Sequence, residues 1–308
     1  AGSALAWGPF YFLPGYLAGA AIDLQALSVH SPWLLAGSLL LIAAGGALLA
    51  TEIHLHLRTW PLHRPRPATL TALTAGLLFV LFSLLHGWAA IGVDLDQTIH
   101  GLFGHRDGSV EHFFLALTLL GDPLLLYSTF ALVLLTLWRS GHRKIALCMT
   151  GGALLLHLVT VLVKTYFALP RPPGTLYPES FAFPSGHAAG AVFVYGTIAI
   201  IALGRLPAAW TRVAGLAAGT FLFLVAASRV YLDVHWCSDV VAGILLGIAV
   251  AGLSWRLAAG DRRLLTLALL TRRQLLGVAV AWATGAVLYL FWQWPAALIR
   301  YRIESLPS

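Results

Sequence analysis

Long apolar stretches separated by short polar loops dominate the sequence. An α-helix of about 20 apolar residues crosses the hydrocarbon core of a bilayer, and most of these stretches reach or approach that length. Because membrane-spanning helices satisfy their own backbone hydrogen bonds, the pattern predicts an all-α polytopic membrane helix bundle. The predicted spans lie at about residues 34–53, 69–92, 123–138, 145–165, 185–204, 211–228, 236–255 and 274–292.

The composition also indicates a membrane protein. The chain has 308 residues, of which 59% are hydrophobic and only 10% are charged, whereas soluble domains carry about 25% charged residues. A formal net charge of +7 in such a chain is better explained by membrane topology than by nucleic-acid binding, so we expect no nucleic-acid partner. Cys148 and Cys237 lie in different contexts, and we predict no disulfide between them.

The first residues differ from the later spans. Residues 5–27 are apolar but interrupted by glycines and prolines, which predicts a broken or re-entrant helix. No charged segment precedes them, so they do not resemble a signal peptide, and Ala1 is either a native start or a cut within a longer fusion. The run A-W-G-P-F-Y-F-L-P-G-Y-L-A-G-A resembles the end of a DedA-type membrane protein. That resemblance implies a DedA-like N-terminal fusion partner and an association with lipid carriers.

Residues 94–122 interrupt the hydrophobic pattern with charged side chains. Apolar residues recur at helical spacing within this interval and predict a short helix lying along the membrane interface. The residues that define this apolar face are Val110, Phe113, Phe114, Leu117 and Leu120.

The distribution of lysine and arginine predicts the orientation of the chain. If the spans alternate in direction, the loops 54–68, 139–144, 205–212 and 256–273 lie on one side and hold thirteen of the nineteen Lys and Arg residues. By the positive-inside rule, that side is cytoplasmic. The opposite ends of the same spans therefore face away from the cytoplasm.

Three polar clusters stand at the ends of otherwise apolar spans. They read K-T-Y-F-A-L-P-R-P at residues 164–172, P-S-G-H at residues 184–187 and S-R-V-Y-L-D-V-H-W-C-S-D at residues 228–239. The alternation of spans places all three on the non-cytoplasmic face. Charged groups at such positions are costly unless they have partners or a function. Cations, histidines and a carboxylate on one face form a set suited to handling a phosphate.

The first cluster offers two cations. Lys164 closes one span, and the prolines of the following loop bring Arg171 to the same rim. An arginine grips phosphate oxygens with two parallel donors, and a lysine supplies a point charge. The alternative is that each side chain only reaches the lipid head groups to stay hydrated.

The second cluster opens the next predicted span. Pro184 starts a helix without the loss of a hydrogen bond, and the N–H groups of the first turn form an anion site. Ser185 can cap the helix and donate to a phosphate, and Gly186 lets the backbone approach a ligand closely. His187 faces the same rim, which makes it a candidate for catalysis.

The third cluster pairs a histidine with a carboxylate. Arg229 lies at the exit of one span, and His235 and Asp239 lie at the entry of the next. A spacing of four residues places two side chains on one helical face, so the Asp239 carboxylate can accept from one ring nitrogen of His235 and leave the other unprotonated toward the site. Such a pair is a nucleophile with its orienting group. The alternative for Asp239 is a carboxylate that only favours a helix N-terminus.

Together, the spacings K-x6-R-P, P-S-G-H and S-R-x5-H-x3-D resemble the type 2 phosphatidic acid phosphatase superfamily at every motif position. The resemblance covers roughly residues 69–256 and implies a six-span lipid phosphatase core. It implies that His235 attacks phosphorus and becomes a phosphohistidine while Asp239 orients it, and that His187 protonates the leaving oxygen and then activates water. The phosphate-binding residues that it implies are Lys164, Arg171, Ser185, Gly186 and Arg229. It implies no metal or other cofactor.

We therefore predict three regions in the chain. These are an N-terminal membrane segment at 1–60, the six-span core at 69–256, and a basic loop with an extra C-terminal span at 257–308. The predicted activity is hydrolysis of a lipid phosphate or pyrophosphate at the non-cytoplasmic face of a bacterial inner membrane. The DedA resemblance favours undecaprenyl pyrophosphate, while phosphatidic acid, phosphatidylglycerol phosphate and lipid A phosphates remain open.

Two other classes of protein fit part of the pattern. Vanadate-dependent haloperoxidases share the three motifs, but they are soluble proteins, and the predicted spans disfavour them. A lipid-carrier transporter or flippase without hydrolysis would use the cations as a head-group site and residues 5–27 as a moving element. Release of phosphate separates a phosphatase from both.

Overall fold

A computed structural model describes residues 67–89, 92–102, 108–173, 180–259 and 269–303. The broken helix predicted at 5–27 and the span predicted at 34–53 lie outside these residues. The DedA-like run and the predicted region 1–60 lie outside them as well.

The described residues form helices and, within the ranges just given, no strand. This confirms the all-α prediction. The helices are α1 Pro67–Ala89, α2 Val93–Leu102, α3 Gly108–Leu120, α4 Pro123–Arg139, α5 Arg143–Phe167, α6 Gly186–Leu203, α7 Ala208–Tyr231, α8 Cys237–Ala259 and α9 Arg272–Tyr301.

Most of these helices are membrane spans. Six of them, α1 and α5 to α9, are long and apolar enough to cross a bilayer. Helices α3 and α4 pass the same test as a pair, with a 43° bend where Pro123 begins α4, which brings the number to seven. Each span predicted between residues 69 and 292 therefore coincides with a helix, and the chain is a polytopic integral membrane protein.

The last span is longer than predicted. A capping box opens α9: Gln274 N donates to Thr271 Oγ1 at 3.2 Å, and Thr271 N donates to Gln274 Oε1 at 2.8 Å. The helix then continues through Pro295 to Tyr301. Hydropathy alone ends this span near residue 292, because the following turns mix polar and aromatic side chains.

Helix α8 is central, and it packs against α1, α5 and α6. Two glycines let α6 and α8 approach closely. A Cβ on Gly243 would overlap the carbonyl oxygen of Ser185, and a Cβ on Gly247 would lie 2.7 Å from the carbonyl oxygen of Ala189. Phe193 of α6 is fully buried beside this contact. Because their backbones nearly touch, α6 and α8 hold the second and third polar clusters in a fixed relation.

The outer surface of the bundle is apolar. Leu154, Leu216 and Phe291 lie on three different spans and are 67%, 74% and 84% exposed. An apolar surface of this extent would be a liability in water. It is the surface expected of helices that contact lipid.

The polar interval after α1 holds two helices, α2 and α3, where the sequence predicted one. The predicted apolar face of α3 is only partly its buried face, since Val110 and Phe113 are exposed while Leu115 and Leu119 are fully buried. In a membrane both faces of a helix can be apolar, so periodicity does not identify the side that faces the protein. Helix α3 in fact packs against α7 and α9, so it does not lie alone along the interface.

The two ends of the bundle carry different loops. At one end, Gln274 Nε2 donates to Ser140 Oγ at 2.7 Å, and Arg205 Nε donates to the carbonyl oxygen of Leu270. These contacts connect three of the basic loops, 139–144, 205–212 and 256–273, that the distribution of Lys and Arg assigns to the cytoplasmic side. The three polar clusters lie at the opposite end.

Candidate active site

The three polar clusters meet at one end of the bundle. Their residues lie in the last turns of α5 and α7, in the loops that follow these helices, and in the first turns of α6 and α8. Ser185 N donates to the carbonyl oxygen of Asp239 at 2.9 Å, which joins the second cluster to the third. Arg171 Nη1 donates to the carbonyl oxygen of Val234 at 2.6 Å, which joins the first cluster to the third.

His235 and Asp239 form a buried pair. His235 Nδ1 lies 3.1 Å from Asp239 Oδ2, and the two side chains are 4% and 0% exposed. The same carboxylate oxygen accepts from Trp236 N at 2.8 Å. His235 lies before the start of α8, so the pair forms because Asp239 reaches back across the helix start, and a shared helical face is not the cause. The predicted contact is therefore present, with a different local geometry.

The turn between α7 and α8 fixes the direction of the His235 ring. The carbonyl oxygen of Arg229 accepts from both Val234 N, at 3.1 Å, and His235 N, at 3.2 Å. This tight turn includes Asp233 at a φ of +56°, a left-handed conformation that aspartate adopts more readily than most residues. The ring is thus held by its own backbone as well as by Asp239.

The second ring nitrogen of His235 faces the predicted arginine. Arg171 Nη1 lies 3.3 Å from His235 Nε2, and Arg171 Nε donates to the hydroxyl and carbonyl oxygens of Ser180 at 2.9 and 3.0 Å. A guanidinium group only donates hydrogen bonds. The contact therefore assigns the unprotonated lone pair to Nε2 and the ring proton to Nδ1, beside Asp239.

The electrostatic surroundings of His235 show that the clusters converge. Burial, as the largest cause, lowers the pKa of His235 well below its ordinary value. The nearby positive charges of Arg171, Lys164 and Arg229 lower this pKa further, and His187 adds to the effect. The ring is therefore neutral at neutral pH, and its free lone pair lies among three cations.

Lys164 holds the segment that leads into α6. Its Nζ donates to the carbonyl oxygens of Phe181 and Ala182 at 2.6 and 2.9 Å. Arg171 binds Ser180 in the same segment, so two of the predicted cations brace one stretch of backbone.

Ser185 and Gly186 form the start of α6 as predicted. Ser185 Oγ accepts from Ala188 N at 3.4 Å, which makes it the N-cap. A Cβ on Gly186 would lie 3.3 Å from Thr160 Cγ2, closer than an ordinary contact. The N–H groups at the start of a helix form an anion site, and at the start of α6 they belong to Gly186 and His187.

His187 has a buried nitrogen without a partner. Its ring hydrogen-bonds the backbone of Thr118, while Nε2 has no hydrogen-bond partner among the described residues. The ring fits only because residue 121 is glycine, since a Cβ on Gly121 would overlap Nε2. Unpaired buried polar atoms are uncommon in proteins, so this nitrogen marks a position where a ligand or a water molecule would bind.

Arg229 is 7% exposed and is anchored by two helices outside the motifs. Its Nη1 donates to Thr118 Oγ1 of α3 at 2.7 Å and to Tyr301 Oη of α9 at 2.8 Å. The Tyr301 ring centroid lies 6.0 Å from the guanidinium carbon. Neither Thr118 nor Tyr301 was predicted, because they lie 111 and 72 residues from Arg229 in apolar segments without a motif.

A second buried cluster holds the start of α8. Asp96 of α2 accepts from Ser238 N at 2.9 Å through Oδ1 and from Ser238 Oγ at 2.6 Å through Oδ2. Ser238 Oγ also lies 3.0 Å from His86 Nε2. Asp96 thereby caps the helix that carries Asp239. Its position in the polar interval 94–122 was the available signal, but nothing in the sequence linked it to Ser238.

The structure brings together every site residue predicted from the sequence. Across the ranges that the structure describes, no three His, Cys, Asp or Glu side chains are grouped as a metal site would require. The positive charge at this site comes from lysine and arginine side chains.

The architecture and the converged motifs define a class of membrane proteins. Residues 144–263 match the model of the PAP2 superfamily, in agreement with the resemblance that the motifs indicated. Helices α1 to α4 and α9 lie outside the matched residues.

Two curated proteins and one solved structure are similar to this chain. Phosphatidylglycerophosphatase B of Bacillus subtilis (strain 168) is 36% identical over 95 residues, which are 30% of this chain and 47% of that protein. Undecaprenyl-diphosphatase of Sulfolobus acidocaldarius is 37% identical over 90 residues, which are 29% of this chain and 37% of that protein. The chain thus matches less than half the length of either curated relative.

The third is a crystal structure, that of a transmembrane PAP2-type phosphatidylglycerolphosphate phosphatase from Bacillus subtilis. It aligns with a TM-score of 0.54 and 26% identity, over 63% of this chain and 98% of that one. The two folds therefore agree over nearly all of the solved protein, and the present chain has helical structure beyond it.

Proposed function

We propose that this protein is an integral membrane lipid phosphatase that works through a phosphohistidine. One observation supports this most strongly: a neutral, buried His235 is oriented by Asp239 on Nδ1 and faces Arg171 through Nε2. A nucleophile with an orienting group on one side and a phosphate-binding cation on the other is the arrangement that phosphoryl transfer to a histidine requires.

In the proposed first step, His235 Nε2 attacks phosphorus. The Nε2–P bond forms as the bond from the terminal phosphorus to the oxygen of the leaving group breaks; that oxygen is the bridging oxygen in a diphosphate and the ester oxygen in a phosphomonoester. His187, which carries a proton on Nε2 once the anionic substrate is bound, donates that proton to the departing oxygen. Asp239 stabilises the positive charge that develops on the His235 ring. The incoming phosphoryl oxygens replace the present contact between Arg171 and Nε2.

In the proposed second step, water releases the phosphate. His187, now neutral, takes a proton from a water molecule, which attacks phosphorus as the Nε2–P bond breaks. Inorganic phosphate leaves, and both histidines return to their starting states. The unpartnered Nε2 of His187 supports its role as the group that exchanges protons.

We also propose that no metal ion takes part. Three cations, Lys164, Arg171 and Arg229, supply the charge that stabilises the transferring phosphoryl group, together with Ser185 and the N–H groups at Gly186. Phosphoryl transfer depends mainly on positioning and charge stabilisation, and removal of one such donor typically costs on the order of a hundredfold in rate. The experiment with EDTA described below tests this point.

For the substrate we favour a polyprenyl diphosphate of the undecaprenyl type. Support comes from the DedA-like N-terminal run and from the similarity to an undecaprenyl-diphosphatase. Phosphatidylglycerol phosphate is the second candidate, because the Bacillus subtilis relative and the solved Bacillus subtilis structure are both named for that lipid. Both lipids present a terminal phosphate at a membrane surface.

We further propose that the site faces the outside of a bacterial inner membrane. The described parts of the basic loops 139–144, 205–212 and 256–273 lie at the end of the bundle opposite the three clusters, and the positive-inside rule assigns basic loops to the cytoplasm. A cysteine at position 180 that reacts with a membrane-impermeant maleimide in intact spheroplasts would support this orientation. Reaction only after lysis would contradict it.

The activity is tested on the full chain purified in detergent. Phosphate release is measured from undecaprenyl pyrophosphate, phosphatidylglycerol phosphate and phosphatidic acid, with and without EDTA. We expect release from at least one lipid, unchanged by EDTA, and an acid-labile phosphate on the protein that is absent in His235→Ala. Inhibition by EDTA that Mg²⁺ reverses would overturn the metal-free mechanism.

The same assay separates the alternatives. A transporter or flippase moves lipid across vesicles but releases no phosphate from any member of the panel. A haloperoxidase requires added vanadate and peroxide. Failure to release phosphate from every lipid tested would overturn the proposed function.

A further inference from the structure

The last helix reaches into the site although it lies outside the PAP2 match. Residues 144–263 carry that match, and α9 spans Arg272–Tyr301. Its final residue, Tyr301, is 7% exposed and contacts Arg229, one of the three cations of the site. An added span at the periphery would have no need of such a contact.

The contact is directional. Arg229 Nη1 donates to Tyr301 Oη at 2.8 Å and to Thr118 Oγ1 at 2.7 Å, so a single guanidinium nitrogen is held by acceptors from α9 and from α3. Two acceptors on one nitrogen fix the plane of the guanidinium group. Because this group is planar and its donors point in set directions, the plane decides where its other donors point.

The end of α9 also packs against the turn that carries the proposed nucleophile. Tyr301 belongs to a buried cluster that includes Tyr231, Leu232 and Val234 of the α7–α8 turn. Further along the helix, Tyr289 Oη donates to Asp122 Oδ2 at 2.9 Å, beside the bend between α3 and α4. Helix α9 is therefore anchored at two points on the proposed active-site end of the bundle.

We propose that Tyr301 is a positioning residue that orients Arg229 toward the transferring phosphoryl group. This makes α9 a working part of the site. The inference rests on the proposed function of Arg229 as a phosphate ligand. It deepens that function, because it assigns part of the phosphate-binding geometry to a helix beyond the family match.

The test compares Tyr301→Phe with the unchanged protein, full length and purified in detergent. The substitution removes the hydroxyl and keeps the ring, so the packing of the last turn is preserved. Tyr127→Phe is the matched control, because Tyr127 lies on an exposed face of α4. Three quantities are measured: kcat and KM on the best lipid of the panel, the Kd of inorganic phosphate by calorimetry, and Tm.

We expect Tyr301→Phe to lower kcat/KM and to weaken inorganic phosphate binding, each by about tenfold, the loss of one hydrogen bond to a charged group. The Tm should fall by no more than about 4 °C, because a loss of about 1 kcal/mol shifts the Tm of a chain of this size by about 2–4 °C. Tyr127→Phe should leave all three quantities unchanged within twofold. A change in Tm alone would assign Tyr301 a merely structural role and would overturn the proposal.

A double-mutant cycle tests whether Tyr301 affects phosphate binding and turnover through Arg229. If Tyr301 acts through the guanidinium plane, Tyr301→Phe should cost less than about twofold in the Arg229→Lys background, because coupled residues are non-additive. An undiminished tenfold cost in that background would overturn the proposal. So would a Tyr301→Phe protein that binds and turns over like the unchanged one.

Phosphate binding keeps this test separate from the proposed function. If the unchanged protein binds inorganic phosphate but hydrolyses no lipid, the proposed function fails while the binding measurements still decide the role of Tyr301. If it hydrolyses lipid and Tyr301→Phe has no effect, only the positioning role fails. If it neither binds nor hydrolyses, both are overturned.

Discussion

The two proposed catalytic histidines share one site but are held in different ways. His235 is contacted through both ring nitrogens by residues inside the PAP2 match, Asp239 at 3.1 Å and Arg171 at 3.3 Å. His187 is held by the backbone of Thr118 and accommodated by Gly121, and both of these residues lie outside the match. The motifs therefore supply the proposed reacting groups, while helices outside the motifs shape one side of the site.

The difference has a physical origin. The partners of His235 come from the first and third clusters, and the nearest of them, Asp239, lies four residues away. The His187 side depends on contacts that fold topology alone brings together, such as Arg229 with Thr118 across 111 residues. A short sequence pattern can encode the first kind of contact but carries no record of the second.

The largest effect should come from the His235 side. His235→Ala removes the proposed nucleophile, and loss of a nucleophile typically lowers kcat by on the order of 10⁴-fold or more. Phosphate release on the best lipid measures this. Thermal melting in detergent should show a folded protein, because His235 contributes little apolar packing.

Residual activity is the critical observation for this variant. A rate within tenfold of the unchanged protein would remove His235 as the nucleophile. His235, which is contacted through both ring nitrogens, would then matter less for catalysis than His187, contrary to the comparison above.

The His187 side is tested by Gly121→Ala. The added Cβ would overlap His187 Nε2 and lie 2.8 Å from Val225 Cγ1. The ring tip is the more movable neighbour, so we expect His187 to tilt and kcat to fall by about a hundredfold, the usual contribution of a positioned acid–base group. Phosphate release measures the loss, and Tm should fall only modestly.

Gly196→Ala is the matched control, because nothing lies within 4 Å of a Cβ at that position of α6. Alanine is the better helix former, so this variant should be fully active and no less stable. Equal activity of the two alanine variants would show that Gly121 does not shape the site.

The spans and the meeting of the candidate site residues at one end of the bundle were predictable because each depends on local sequence. Hydropathy over about 20 residues identifies a helix that must face lipid, so the described spans appear where the pattern placed them. The site residues appear in short motifs at the ends of those spans. Alternation of the spans was enough to bring Lys164, His187 and His235 to one face.

The remainder depended on information that is not local. The buried side of α3 was predicted only in part, because lipid and protein both accept apolar side chains and the period cannot separate them. The last turns of α9 were not predicted, because they carry polar residues and hydropathy gave no reason to expect Tyr301 to be buried. Asp96 could be recognised in the sequence as an acidic residue. Its role in capping α8 through Ser238 could not, because that contact depends on the packing of α2 against α8.

A smaller effect is expected from Arg171→Lys. Arginine donates from Nη1 to the carbonyl oxygen of Val234 and from Nε to Ser180, and a single ammonium group cannot span both contacts while gripping phosphate. We expect kcat/KM to fall by about tenfold, the typical cost of a lost charge-assisted hydrogen bond. Phosphate release across the lipid panel is the measurement.

Arg139→Lys provides the matched control, because Arg139 ends α4 at the opposite end of the bundle. It should retain full activity. If Arg171→Lys were equally active, Arg171 would serve only to brace the loop through Ser180 and Val234, and the site would be less dependent on the first cluster than proposed.

The smallest effect is expected from a moderate fall in pH. The protonation state of the His235 ring should not change. Burial and three nearby cations lower the pKa of His235 well below its ordinary value, which is about 6.5 for histidine. A lowered pKa keeps the ring neutral, and therefore nucleophilic, as the pH falls through 6.5. Protonation, and with it the loss of activity, begins only at a lower pH.

In the substrate-free protein, the ¹⁵N shifts of this ring, assigned by comparison with His235→Gln, should not change between pH 7.5 and 6. A ring that titrates at or above pH 6.5 would show that solvent or the Asp239 carboxylate affects the pKa of His235 more than burial and the cations do. The surroundings of the two histidines would then be more alike than their contacts indicate.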